Sequence, residues 1–291
     1  MALAPVDRAT LAYLAVALVF TLLRGPLQPG LRLTLVVALL AAALVAGWLA
    51  PRARRSGPFG QLLGEFYPLL LTLGLYTHVG LVNRAAGVSH DLLVQGWEQA
   101  LFGGQVSLAW VRAFPSRAWS TLMHAAYVSY YAILVASPLG LWLKGRRAAA
   151  RRALLLLMVA FYVCYATSLA FPVAGPRYLF PSASNSATAV AAAALVRSLL
   201  ETFSAWGTAF PSSHVAAALV AAVTAWRGWR PLGAVLIPLA LLLTLSTVYG
   251  QLHYAVDAVA GGAVAAAVLL LPYGRQYDAA PGTLPGPRRT P

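Results

Sequence analysis

Residues 153–172 read ALLLLMVAFYVCYATSLAFP, twenty residues without a charge, entered from Arg151 and Arg152 and left toward Arg177. A helix needs about 20 predominantly apolar residues to cross ~30 Å of hydrocarbon, so this stretch reads as a transmembrane span. Seven other segments share its character, at about 9–23, 32–50, 64–82, 119–142, 212–227, 231–249 and 254–272. The expected fold is therefore all-α, a polytopic transmembrane helix bundle of about eight spans. The first segment is short for the task. It reads as an uncleaved span rather than a signal peptide, because Leu23 is followed by Arg24-Gly25-Pro26 and not by a small-residue cleavage site.

Composition points the same way. Of 291 residues, 60% are hydrophobic and only 10% charged, where a soluble domain carries about 25% charged residues. Too little polar surface exists to cover a water-soluble body of this length. The net charge of +14 raises nucleic acid as a partner. The basic residues sit in short loops between apolar runs rather than on one face of a domain, so no nucleic-acid role is expected. The single cysteine, Cys164, lies inside an apolar run. It reads as a small buried apolar residue and supplies neither a disulfide within the chain nor a cysteine metal site.

The loops fix an orientation. With eight spans and a cytoplasmic N-terminus, one side carries 14 of the Lys and Arg residues, including Arg52, Arg54, Arg55, Lys144, Arg146 and Arg147, and the other carries 7. The positive-inside rule places both termini in the cytoplasm of a plasma (inner) membrane protein. The loops after the third, fifth and seventh spans then face outward. Segment 83–118 holds Arg84, Asp91, Glu98, Arg112 and Arg117 among apolar residues. It reads as an interfacial helix at the outer surface, with Trp97, Phe102 and Trp110 at headgroup level. Residues 183–205 read as outer loop with a weak helical pattern. The Pro-rich tail from 273 reads as a disordered cytoplasmic segment. The expected organisation is two N-terminal helices (1–63), a six-helix catalytic core (64–272) and the tail (273–291).

Polar residues at membrane depth are costly and mark function by default. Three clusters fall on outward ends of spans. Gly175-Pro176-Arg177-Tyr178 follows the fifth span, and the planar fork of Arg177 suits a phosphate; the alternative is an interfacial Arg that snorkels to headgroups. Phe210-Pro211-Ser212-Ser213-His214 opens the sixth span. A Pro-Ser-Ser start marks a helix N-terminus whose free N–H groups bind anions, and the alternative is a cap with an incidental histidine. Ser246-Thr247-Val248-Tyr249-Gly250-Gln251-Leu252-His253-Tyr254-Ala255-Val256-Asp257 closes the seventh span and opens the eighth. His253 and Asp257, four apart, share a face if the helix has begun by His253. A carboxylate on one imidazole nitrogen leaves the other free for attack, and the alternative is a structural His–Asp bond. His78, His90 and His124 read as packing or interfacial residues. No pair shows metalloprotease spacing, so no metal and no cofactor is expected.

Together the clusters resemble the type-2 phosphatidic acid phosphatase superfamily, whose members carry an Arg motif, then Pro-Ser-Gly-His, then Ser-Arg, five residues, His, three residues and Asp. Pro211-Ser212-Ser213-His214 matches the second motif with Ser213 in the glycine place, and Ser246, His253 and Asp257 match the third at its spacing. Tyr178, Ala170 and Thr247 depart from the pattern, and two phosphate-binding cations are absent. The same departures resemble the inositol phosphorylceramide synthase-like branch, which reads Phe-Pro-Ser-x-His and Ser-Thr-x-Tyr-x-x-x-His-Tyr-x-x-Asp. The resemblance covers roughly 64–272.

It implies a membrane enzyme acting on a lipid phosphate or phospholipid, without metal, at the outer face. His253 would be the nucleophile and form a phosphohistidine. Asp257 would orient it, and His214 would protonate the departing alkoxide and then activate the acceptor. Arg177, Ser212 and Ser213 would hold the phosphate oxygens. The acceptor would be water, giving phosphatase activity, or an alcohol or polyol, giving headgroup transfer. Two other classes stay open: a transporter using His and Asp as a proton relay, and a catalytically inactive scaffold of the same fold. A transporter would be expected to show internal symmetry between halves, and the sequence shows none.

Overall fold

A computed structural model describes residues 3–272; the tail from 273 lies outside the described residues. All described regular structure is helical, apart from one isolated parallel bridge between Val173 and Thr208. Two N-terminal helices come first: α1 (Pro5–Leu23) and α2 (Pro29–Leu44), the latter continued by a π-helical turn (Val45–Leu49) and the single turn α3 (Ala50–Ala53). Then follow α4 (Pro58–Ala86), α5 (Asp91–Phe102), α6 (Val106–Ala113), α7 (Arg117–Leu143) and α8 (Arg147–Ala170). The short turn α9 (Pro176–Leu179) and α10 (Ala191–Phe203) precede α11 (Ser213–Gly228), α12 (Arg230–Tyr249) and α13 (Ala255–Leu270).

Five of these are long and apolar enough to cross a membrane: Pro5–Leu23, Pro29–Ala53, Arg117–Leu143, Arg147–Ala170 and Arg230–Tyr249. The other three expected spans are also helices. The third is α4, with 29 residues. The helices α11 and α13 have 16 residues each; at 1.5 Å per residue that is about 24 Å, shorter than the ~30 Å hydrocarbon layer. Segment 83–118 is a pair of helices, α5 and α6, rather than one, and part of the expected outer loop is the helix α10.

Helix α11 is the hub. It packs against α7, α8, α12 and α13, and Ala216, Ala217, Ala218, Val220, Ala221, Ala222 and Ala225 are all buried. Small side chains let helix backbones approach closely, which is the main route to tight packing where lipid removes the hydrophobic drive between helices. Among the contacts that require glycine, one bears on the site: a Cβ on Gly261 of α13 would lie 2.5 Å from the Ser212 carbonyl oxygen. Only a bare Cα there lets α13 lie against the start of α11, where the Ser212 N–H also donates to the Asp257 carbonyl at 3.0 Å.

The two ends of the bundle carry different polar clusters. At the beginning of α1, α4 and α8, buried Asp7 takes both guanidinium nitrogens of Arg54 at 2.6 and 2.7 Å and the Tyr67 hydroxyl at 2.9 Å. Nearby Glu65 pairs with Arg151 at 2.7 Å. At the far end of α4 and α8, Asn83 donates to the Ser168 and Gly207 carbonyls at 2.9 and 3.0 Å. That end also holds the start of α11, the end of α12 and the start of α13.

Candidate active site

The chain reverses between α12 and α13 over a short turn. The Thr247 carbonyl receives the N–H groups of both Leu252 and His253, each at 3.0 Å. Gln251 adopts a left-handed conformation (φ 57°), rare for a non-glycine residue. The Thr247 hydroxyl bonds back to the Thr244 carbonyl at 2.8 Å, so it is spent on its own helix.

This turn delivers His253 into a buried position, 5% exposed. Its Nδ1 lies 2.9 Å from the Ala209 carbonyl oxygen and 3.4 Å from Asp257 Oδ2. A carbonyl only accepts, so Nδ1 carries the proton and Nε2 keeps its lone pair. The carboxylate of Asp257 is thus the more distant partner. Its Oδ2 accepts the Tyr254 N–H at 2.8 Å, while its Oδ1 is buried with no hydrogen-bond partner among the described residues. An Asp257→Asn variant is expected to lose about 10-fold in turnover, because the Ala209 carbonyl still holds the tautomer. Where a carboxylate alone sets the tautomer, the same change costs on the order of 10⁴-fold. Steady-state kinetics distinguish the two.

His214 enters from the first turn of α11. Ser212 caps that helix, its Oγ accepting the Val215 N–H at 3.4 Å, and Ser213 is the first helical residue. The His214 ring packs on Tyr130 and Tyr127, with centroids 4.4 and 5.5 Å away, and its Nε2 lies 3.3 Å from the Tyr127 hydroxyl. The rings of His214 and His253 stand edge to face with centroids 5.6 Å apart. They lie at the same end of the bundle.

Arg177 sits in α9, just after Gly175, whose φ of 95° belongs to glycine. Its Nη1 is buried and without a hydrogen-bond partner among the described residues, as is Nδ1 of His214. Two cavities open from this region. One, of about 230 Å³, is lined by tyrosines and leucines, including Tyr76, Tyr130, Tyr165 and Leu134, and reaches Ser213 and His214. The other, of about 280 Å³, is lined by polar groups that include Arg177, Arg197, Ser182 and Gln251. The six site residues expected from sequence therefore occupy one end of the bundle. His78 instead bonds Thr21 at 2.8 Å between α1 and α4, and His90 bonds the Pro172 carbonyl at 3.1 Å. His124, bonded to Ser120, borders the polar cavity.

Sequence reading missed four contributors: Ala209, Tyr127, Asp91 and Glu98. The first acts through its backbone, which no side-chain pattern reveals. Asp91 and Glu98 had a signal. They are seven residues apart, hence on one helical face, in a segment otherwise rich in apolar residues. Both are buried, at 3% and 0% exposure. Asp91 accepts the N–H groups of Ala174 and Gly175, each at 2.8 Å, and the Tyr254 hydroxyl at 2.9 Å. Glu98 accepts the N–H groups of Ala255 and Val256, at 3.0 and 2.8 Å.

Among the described residues, no group of three or more His, Cys, Asp or Glu side chains is arranged to hold a metal ion. A family model described as the PAP2 superfamily matches residues 94–271. No curated protein and no solved structure matches the chain.

Proposed function

Because the chain belongs to the PAP2 superfamily, whose members are generally phosphatases, we propose that it cleaves a lipid-linked phosphoester at the outer face of a plasma (inner) membrane through a phosphohistidine. The observation that carries this reading is the pair of imidazoles 5.6 Å apart, one with its Nδ1 proton held by a carbonyl. Nε2 of His253 attacks phosphorus as the ester oxygen leaves, and a proton from His214 neutralises the departing alkoxide. An acceptor hydroxyl, deprotonated by His214, then attacks the phosphohistidine and His253 is regained. Phosphoryl transfer needs in-line placement and donors on the equatorial oxygens more than elaborate covalent chemistry. Arg177 supplies a fork of donors, and Ser212, Ser213 and the open N–H groups at the start of α11 supply more.

The cavities suggest how substrate lies. The apolar one reaches His214 and takes a hydrocarbon chain, while the polar one borders Arg177 and takes the headgroup side. Room for a polar group beside the phosphate favours a second version of the reaction, in which an alcohol or polyol, rather than water, resolves the intermediate. The runs Phe210–His214 and Ser246–Asp257 favour the same version, because they fit the inositol phosphorylceramide synthase-like branch. In this reading α4, α7, α8, α11, α12 and α13 form a six-helix catalytic core, α1 and α2 are an addition, and both termini are cytoplasmic.

The test is turnover by the purified full-length protein in bilayer discs, against a panel of lipid phosphates and phosphodiesters with and without alcohol acceptors, products identified by mass. Product is expected in the presence of a chelator, and vanadate, a mimic of five-coordinate phosphorus, is expected to inhibit. Loss of turnover in chelator with recovery on metal addition overturns the metal-free mechanism. No product anywhere on the panel overturns the enzymatic reading and leaves an inactive scaffold or a transporter.

A further inference from the structure

Neither catalytic loop is held in place by its own helix alone. Both are fastened to α5, a helix that the reaction scheme does not use. On one side of α5, Leu92 and Leu101 are 85% and 65% exposed. On the other, Asp91, Val94 and Glu98 are buried, at the i, i+3 and i+7 positions of a single face.

From Asp91 a closed circuit of hydrogen bonds runs through the site. Its carboxylate takes the N–H groups of Ala174 and Gly175, which lead through Pro176 to Arg177. Next to them, the Val173 carbonyl accepts the Ala209 N–H at 2.9 Å. The Ala209 carbonyl accepts the Nδ1 proton of His253. The next residue, Tyr254, returns to Asp91 through its hydroxyl. Glu98 supports the same turn from its other end, taking the first N–H groups of α13 at Ala255 and Val256 while the Tyr254 N–H goes to Asp257. A carboxylate is suited to this task. It accepts at several lone pairs and donates none, so it satisfies a run of converging N–H groups that an amide of the same shape cannot.

We propose that Asp91 and Glu98 are positioning residues that set the tautomer and aim of His253, and that Asp91 also sets the approach of Arg177. The proposal rests on the phosphohistidine reading for its kinetic consequences only. In Asp91→Asn or Glu98→Gln one oxygen becomes an NH₂ group facing an N–H or O–H donor, which forces the loop to shift without changing side-chain volume. Displacements near 1 Å in a catalytic constellation cost on the order of 10²-fold in rate.

The experiment compares wild type, Asp91→Asn, Glu98→Gln and Tyr254→Phe, with Asp7→Asn as a stability control at the far end of the bundle. Asp91→Asn and Glu98→Gln are expected to lower kcat about 100-fold with little change in KM and to raise the vanadate inhibition constant in proportion, a readout independent of the active fraction. Tyr254→Phe, which removes one hydroxyl, gives a smaller loss in the same direction and stands in if Asp91→Asn does not fold. Asp7→Asn lowers thermal stability and leaves the vanadate constant unchanged. Nitrogen-15 NMR of labelled histidine, with His253 assigned by its loss in His253→Ala, is expected to show an Nδ1-protonated ring in wild type and a tautomer mixture in the variants. This measurement stands whether or not a chosen lipid is turned over. An unchanged tautomer with an unchanged vanadate constant overturns the positioning role; a wild type without product overturns the reaction instead.

Discussion

His253→Ala is expected to abolish product formation, by on the order of 10⁴-fold or more in kcat, as removal of a nucleophile does when no neighbour takes its place. The ring is 5% exposed and its removal orphans one buried carbonyl, that of Ala209, at a cost of about 1–3 kcal/mol, so the variant should still fold and insert. The loss is chemical rather than structural, which a second measurement shows. Wild type quenched during turnover of a substrate labelled at phosphorus should carry label that is stable in base and released in acid, as expected of phosphorus on an imidazole nitrogen. His253→Ala should carry none. Turnover within a few-fold of wild type in His253→Ala would remove the nucleophile assignment, and with it the covalent route.

His214→Gln is the second large effect, expected at about 10²- to 10⁴-fold on an alkyl phosphoester, the range for a single general acid–base group. Its signature is dependence on the leaving group. Departure of an alkoxide requires a proton, which the proposed mechanism assigns to His214, its ring centroid 5.6 Å from that of His253. An aryl phosphate leaves as a stable phenolate and needs no such help. With an aryl substrate the variant should therefore form the phosphoenzyme at near wild-type rate and then stall, because the attacking hydroxyl has lost its base. A burst of phenolate followed by slow turnover is the expected trace. Equal losses on alkyl and aryl substrates, with no burst, would place His214 in a packing role on Tyr127 and Tyr130.

The architecture was legible where lipid dictates it. A run such as 153–172 has no way to satisfy its backbone in hydrocarbon except as a helix, and among the described residues five helices are long and apolar enough for a membrane. The count of eight goes three helices beyond these five. The helices α11 and α13 are alanine- and glycine-rich and short, and their sequence reports close packing against neighbours as much as contact with lipid. Segment 83–118 reads from its composition as interfacial, and that reading says nothing of where its carboxylates go: Asp91 and Glu98 are buried and accept backbone N–H groups, Asp91 together with the Tyr254 hydroxyl. The i, i+4 face expected for His253 and Asp257 is conditional on the helix having begun, and α13 starts only at Ala255; the two groups stand 3.4 Å apart all the same, while a carbonyl from the loop before α11 stands closer.

What the sequence determined by itself is the material of the bundle and the identity of its reactive groups. Apolar runs of span length have one solution in a bilayer, and imidazole, guanidinium and hydroxyl chemistry is written in the residue types. What only the tertiary structure decided is which atoms meet. The tautomer of His253 depends on a carbonyl 44 residues away, and the placing of both loops depends on carboxylates more than 80 residues from the N–H groups they accept. Backbone groups are the same at every position, so their use as partners leaves no mark in the sequence and emerges only when the chain has folded and every buried donor must find an acceptor.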